Sequence, residues 1–267
     1  MINNALLEPK ELRKSILRMA HAGDSVHIAC AFSIIEICCV LYSNFIQYEK
    51  KNLENPLRDH LILSKGHGVM AIYAVFAKLG WLEQVHLDQY FSDGSLLHGL
   101  CEAKIPGLEV CSGSLGHGLP IAAGMASAFK RLKVDKQVYC IVGDGELNEG
   151  SMWEAILFSG HQKLDNLTVI IDANGLQAMG SCKNVLELEP LPSKFESFGF
   201  QVVECDGHDV IELDNAIRSK VKDKPLAVVA RTIKGKGVSW MENNNEWHYR
   251  RLNDELLQDI YTEWGEQ

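Results

Sequence analysis

The stretch IVGDGELNEGSMWEAILFSG, residues 141–160, ends an apolar run on Gly143, sets Asp144 between two glycines and passes into a helical pattern. A short apolar run that turns through glycine into a helix is the joint of a parallel sheet covered on both faces. Outward from that joint the pattern repeats. QVYCIV (137–142) leads in as a strand, a helix is predicted over 152–162, and LTVIIDA (167–173) is the next strand. HLILS (60–64), FQVVECD (200–206) and LAVVARTI (226–233) have the same short, apolar character. Helices are predicted over 10–22, 32–46, 68–80, 209–220 and the C-terminus, with a Gly-rich turn and helix over 113–132. The expected fold is α/β: a doubly wound, mostly parallel sheet with helices on both faces, in one domain across residues 1–267. No internal repeat, low-complexity tract or linker interrupts it.

In such sheets ligands bind beyond the carboxyl ends of strands, where GDG (143–145) and DANGL (172–176) both fall. Glycine turns there usually cradle phosphates, so the acidic Asp144 needs a reason. A dinucleotide fingerprint would need glycine where Asn148 stands. An EF-hand loop begun at Asp144 would need glycine at Glu149 and a carboxylate at Ala155. SKGHG (64–68) carries its lysine before the glycine and is no phosphate-binding P-loop. What remains is a carboxylate that reaches phosphates through a metal. Mg²⁺ takes hard oxygen ligands and joins protein groups to phosphate oxygens: Asp144 supplies one oxygen, the Asn174 side chain a second and the Leu176 carbonyl a third.

Composition narrows the partners. With 26 basic against 35 acidic residues and a net charge of −9, the chain has no basic run to track a nucleic-acid backbone. MINNALLEPKELRKSILRMA (1–20) lacks the apolar core of a signal peptide, and no stretch is apolar enough to suggest a membrane span. A cytoplasmic protein is expected. The eight cysteines show no CxxC spacing and several sit in apolar runs, as buried free thiols do.

GDGELNEGSMWEA…KLDNLTVIIDANGL resembles the thiamine diphosphate signature in its transketolase form. The likeness extends through LSKGHGVMAIYAVFAKLGWL (63–82), IPGLEVCSGSLGHGLPIAAGMA (105–126) and RTIKGKGVSWMENNNEWH (231–248). It implies thiamine diphosphate and Mg²⁺ as cofactors, with Asp144, Asn174 and Leu176 as metal ligands and Gly145 and Glu146 against the diphosphate. It implies that His67 stands near the diphosphate and the reaction centre, that His27 and His98 contact the sugar donor, and that Lys234 and His248 form a pair at an active-site loop. Gly113 and Leu115 match the turn touching diphosphate and aminopyrimidine, with His117 in the same GSLGHG segment. Glu149 resembles an interface glutamate coupling paired active sites. The likeness covers only the diphosphate-binding half of the family, which implies the N-terminal subunit of a split transketolase, paired with a C-terminal, pyrimidine-binding subunit in an α2β2 assembly.

The implied reaction moves a two-carbon ketol unit from a ketose, phosphorylated or otherwise modified, to an aldehyde. Protons must move on and off hydroxyls near neutral pH, which suits histidine. Departures accompany the matches: VHIAC (26–30) stands where the family usually reads GHPGG, HGL (98–100) where it reads HPE, and WHY (247–249) where it reads WHG. These are expected to alter the sugar channel. Alternatives left open are a related synthase such as a deoxyxylulose-phosphate synthase, two-carbon transfer to a carrier, and a non-catalytic subunit.

Overall fold

The computed structural model describes residues 7–23, 25–47 and 53–266; residues 1–6, part of the N-terminal segment considered above, lie outside it. Five strands form the central sheet: β1 His60–Leu63, β2 Val138–Gly143, β3 Leu167–Ala173, β4 Gln201–Asp206 and β5 Leu226–Arg231. Their spatial order is β1-β2-β3-β5-β4, and every pairing is parallel. Each strand is short, and β2 and β3 are rich in β-branched residues, which pack well on a pleated surface. The three interior strands are buried along nearly their whole length, whereas β4, on an edge, is half-buried with Glu204 and Asp206 exposed.

Strand alternation splits the core in two. Leu61, Leu63, Tyr139, Ile141, Ile170 and Val228 face one layer of helices, built from Pro9–Ala22, Ile28–Phe32, Ile35–Val40, Met70–Lys78 and Val210–Arg218. Ile62, Cys140, Val142, Val169, Ile171 and Val229 face the other, built from Gly118–Leu132, Gly150–His161 and Leu191–Ser197. This is the expected two-faced α/β architecture. All eight cysteines are free, and all but Cys111 are buried.

The single helix expected over 32–46 is instead broken, with helices Ile28–Phe32 and Ile35–Val40 followed by a π-turn at Leu41–Phe45. The cause is Ser33, whose hydroxyl sits 3.1 Å from the Cys30 carbonyl and donates to Asp172 at 2.7 Å, competing with the helical ladder. Periodicity also does not reveal helix Gln84–Asp88 or two short antiparallel ribbons, Ser25–Val26 with Arg250–Arg251 and Leu176–Gln177 with Gly180–Ser181. Among the described residues no helix is long and apolar enough to cross a membrane.

Candidate functional site

Four strand ends deliver polar residues to one edge of the sheet. β1 runs into Ser64-Lys65-Gly66-His67, β2 into Asp144, β3 into Asn174, and β5 into Thr232 and Lys234. The register places Gly143 opposite Asp172 and Asp172 opposite Ala230, so the three interior strands end level with one another.

Asp144 caps a short 3₁₀ turn, Gly145–Asn148, and its carboxylate accepts from the N–H of Gly145 at 2.7 Å and of Gly175 at 2.6 Å. Burial, and then the nearby Asp172 charge, push its pKa up to about 6, against those two hydrogen bonds. A buried carboxylate held mainly by backbone donors carries charge that a cation would neutralise. Asn174 donates from Nδ2 to Asp172 at 3.0 Å, and its Oδ1 accepts from the Leu176 N–H at 3.0 Å. A carboxylate, an amide oxygen and a backbone carbonyl would make a hard-oxygen donor set, suited to Mg²⁺ or Ca²⁺ and not to a soft metal. Among the described residues no group of three His, Cys, Asp or Glu side chains could hold a metal, so any cation here must draw on amide and carbonyl oxygens as well.

Gly145 and Glu146 follow the same turn. A Cβ on Gly145 would come 2.8 Å from the Gln177 Cβ, so the chain at 145 has no room for a side chain. Glu146 turns inward. Its Oε1 accepts from Ser64 Oγ at 2.5 Å and the Gly116 N–H at 2.8 Å, and its Oε2 from the Gly143 N–H at 3.2 Å. It thereby ties the end of β1, the end of β2 and the GSLGHG turn together. That turn approaches closely: a Cβ on Gly118 would fall 2.5 Å from the Ser64 Cβ. In the same segment Gly113 lies beside Leu100 and Leu115 is partly exposed.

Three of the histidines meet. The ring of His27 lies 5.1 Å from His67 and 5.3 Å from His248, and His67 lies 5.6 Å from His248. Burial lowers all three, reinforced by the positive charges of Lys234 and Lys65: His27 falls to about 4, His248 to about 3, and His67 well below its usual value. The cluster is therefore neutral at physiological pH. Lys234, buried and itself lowered first by desolvation, places Nζ 2.7 Å from Nδ1 of His248. As donor to Nδ1 it leaves the proton of His248 on Nε2.

His98 is half exposed and engaged within its own loop, Nδ1 at 2.5 Å from Glu102 and Nε2 at 3.1 Å from the Ser95 carbonyl. Glu149 is exposed at the start of helix Gly150–His161, where it occupies the N-cap position without a capping bond from its side chain.

Of the departures in VHIAC, Val26 and Ile28 are buried in the hydrophobic core, and the Cys30 sulfur lies 3.8 Å from His248 Nδ1. The departure in WHY does reach the site: the Tyr249 ring lies 4.7 Å from that of His27, tilted against it. Sequence inspection passes over Lys65 and Asp172, which pair in the buried interior. A charge closing the apolar run VIID is the available signal.

The transketolase thiamine diphosphate-binding domain model matches residues 11–267. One subunit of the apulose-4-phosphate transketolase from Actinobacillus succinogenes is 40% identical over 240 residues, covering 89% of this chain and 87% of that protein. A 6-deoxy-6-sulfo-D-fructose transketolase subunit of a Clostridium species is 36% identical, covering 86% of this chain and 85% of its own. Among solved structures, the transketolase of Campylobacter jejuni superposes with a TM-score of 0.91 at 28% identity, over 100% of this chain and 43% of that one. The chain thus spans less than half of that solved transketolase and most of the length of the separate subunits.

Proposed function

This chain belongs to the transketolase family, in its thiamine diphosphate-binding part, and from that premise we propose that it is the N-terminal subunit of a two-component transketolase. With its partner it transfers a two-carbon ketol unit from a modified ketose to an aldehyde, using thiamine diphosphate and Mg²⁺. The observation that carries this reading is a single sheet edge on which the oxygen donors of Asp144 and Asn174 and three neutral imidazoles converge, with Lys65 electrostatically coupled to both groups.

Bound thiamine diphosphate would supply the nucleophilic carbon and electron sink that no side chain here provides. Asp144, Asn174 and the Leu176 carbonyl would hold Mg²⁺ against its diphosphate, with Gly113, Leu115 and Gly145 lining the approach and Glu146 fixing the turns that form it. His27 and His67 are neutral and so can accept a proton from a sugar hydroxyl, whereas His248 can hold a sugar oxygen by donating a hydrogen bond to it. Lys234 fixes the tautomer of His248, making Nε2 a donor. His98 serves the donor sugar from its own loop, and Glu149 serves the contact between paired sites. The donor is taken to be a modified, anionic ketose, since two subunit-length relatives are named for apulose 4-phosphate and 6-deoxy-6-sulfo-D-fructose. The partner is a pyrimidine-binding subunit, two copies of each forming the enzyme. Unpaired cysteines throughout suit the cytoplasm.

The test is an assay of two-carbon transfer with a panel of ketose donors, by the chain alone and after addition of a candidate pyrimidine-binding chain. The isolated chain is expected to be inert and the pair active. Asp144→Ala in the pair should remove Mg²⁺-dependent binding of thiamine diphosphate, read by calorimetry, while leaving the circular dichroism spectrum unchanged. Robust turnover by the purified single chain would overturn the split-enzyme reading.

A further inference from the structure

Asn174 can turn either an oxygen or an NH₂ toward a cation, and two neighbours settle which. Asp172 Oδ2, 3.0 Å from Nδ2, only accepts as a carboxylate; the Leu176 N–H, 3.0 Å from Oδ1, only donates. Rotating the amide by half a turn would set oxygen against oxygen and N–H against N–H. The oxygen therefore faces the Leu176 side, and the nitrogen faces inward.

Asp172 is itself held from several directions. Strand alternation puts it on the same face of β3 as Ile170, toward helices Ile28–Phe32 and Ile35–Val40, where Ser33 donates to Oδ2 at 2.7 Å. Thr232, just past β5, donates to Oδ1, and Lys65, just past β1, pairs with Oδ2. Lys65 reaches the Cys30 carbonyl as well, at 3.2 Å. Asp172, Ser33, Lys65 and Thr232 are all buried. We infer that the Lys65–Asp172 pair, with Ser33 and Thr232, is a positioning device that locks the Asn174 amide with its oxygen toward the cation. This rests on Asp144 and Asn174 being cation ligands. A buried ion pair is a poor source of stability compared with apolar packing, but a carboxylate is needed at 172 to accept from the amide, and a cation is needed beside it to neutralise that carboxylate.

The test uses the two-chain complex with thiamine diphosphate and reads Mg²⁺ affinity by calorimetry together with thermal melting. Lys65→Met/Asp172→Leu removes the pair without leaving a lone buried charge. It is expected to weaken Mg²⁺ binding by about tenfold or more, as loss of a group that orients a ligand does, with folding retained. Adding Asn174→Asp to that background, which presents oxygen at both ends, should restore most of the affinity; a site that had only collapsed would stay weak. Unchanged Mg²⁺ affinity in the double variant, or failure of the added aspartate to restore it, overturns the inference. Should the double variant not fold, Thr232→Val decides: roughly threefold weaker Mg²⁺ binding is expected for loss of one hydrogen bond, and no change overturns it. Asp144→Ala separates the two levels. If Mg²⁺ affinity survives there, the cation reading itself is wrong; if it is lost there but intact in the double variant, only the positioning role fails.

Discussion

His27 is kept neutral by burial and by the two lysines nearby, so its folded pKa, about 4, lies below the value it has in an unfolded chain. The sign follows. Above the unfolded value near 6.5 both states are neutral and the group costs nothing. As pH falls below that, the unfolded chain takes up a proton that the folded chain refuses, and the cost grows until about pH 4. His27→Asn should therefore gain stability relative to the parent chain between about pH 6.5 and 4.5, by at most about 1.4 kcal/mol per pH unit. Denaturant titrations of both proteins at several pH values measure the difference; a constant gap across that range would mean that His27 is protonated like a free histidine. At this scale the sequence is half legible. Asp144 and Asn174 can be read because glycine and an apolar run mark the strand ends. The Asp172 network cannot, because Ser33 and Lys65 lie 139 and 107 residues away from it in the chain and meet it only through the sheet.

Among elements, the turn at 143–149 carries the most consequence, and Glu146 holds it. Its two oxygens serve three donors on three different segments. Glu146→Ala leaves Ser64 and the Gly116 and Gly143 N–H groups without that acceptor, at a cost of about 3 kcal/mol. A drop in melting temperature is expected, accompanied by weaker thiamine diphosphate binding in the two-chain complex; a melting temperature equal to the parent's would remove Glu146 from the fold's supports. The elements themselves are largely readable. Strand β3 occupies the expected residues, 167–173, since seven buried apolar-rich positions between polar turns admit little else. The helix expected at 32–46 fails for a reason periodicity does not carry: a serine whose partner is in a distant strand.

For the whole molecule, the architecture agrees with its sequence because composition, strand length and turn chemistry all point to one parallel sheet. Its surface does not look finished. Ile121, Leu157 and Phe158 are exposed on helices Gly118–Leu132 and Gly150–His161, which pack against each other, and Glu149 opens the second of these. We propose these two helices as a face that a partner covers, since exposed apolar side chains favour contact with another chain. Leu157→Glu should leave the melting of the isolated chain nearly unchanged while lowering the mass of the two-chain complex seen by sedimentation; an intact assembly would show that another face makes the contacts. The sheet order has a further consequence, for biosynthesis. β5 is the last strand of the sheet to leave the ribosome, yet its place is between β3 and β4. Until it arrives, β3 presents an open edge of unsatisfied backbone groups and β4 has no neighbour to join. A stalled nascent chain is thus a template for wrong strand pairing. The same segment carries Thr232 and Lys234, so their side of the site is assembled only after β5 has been made.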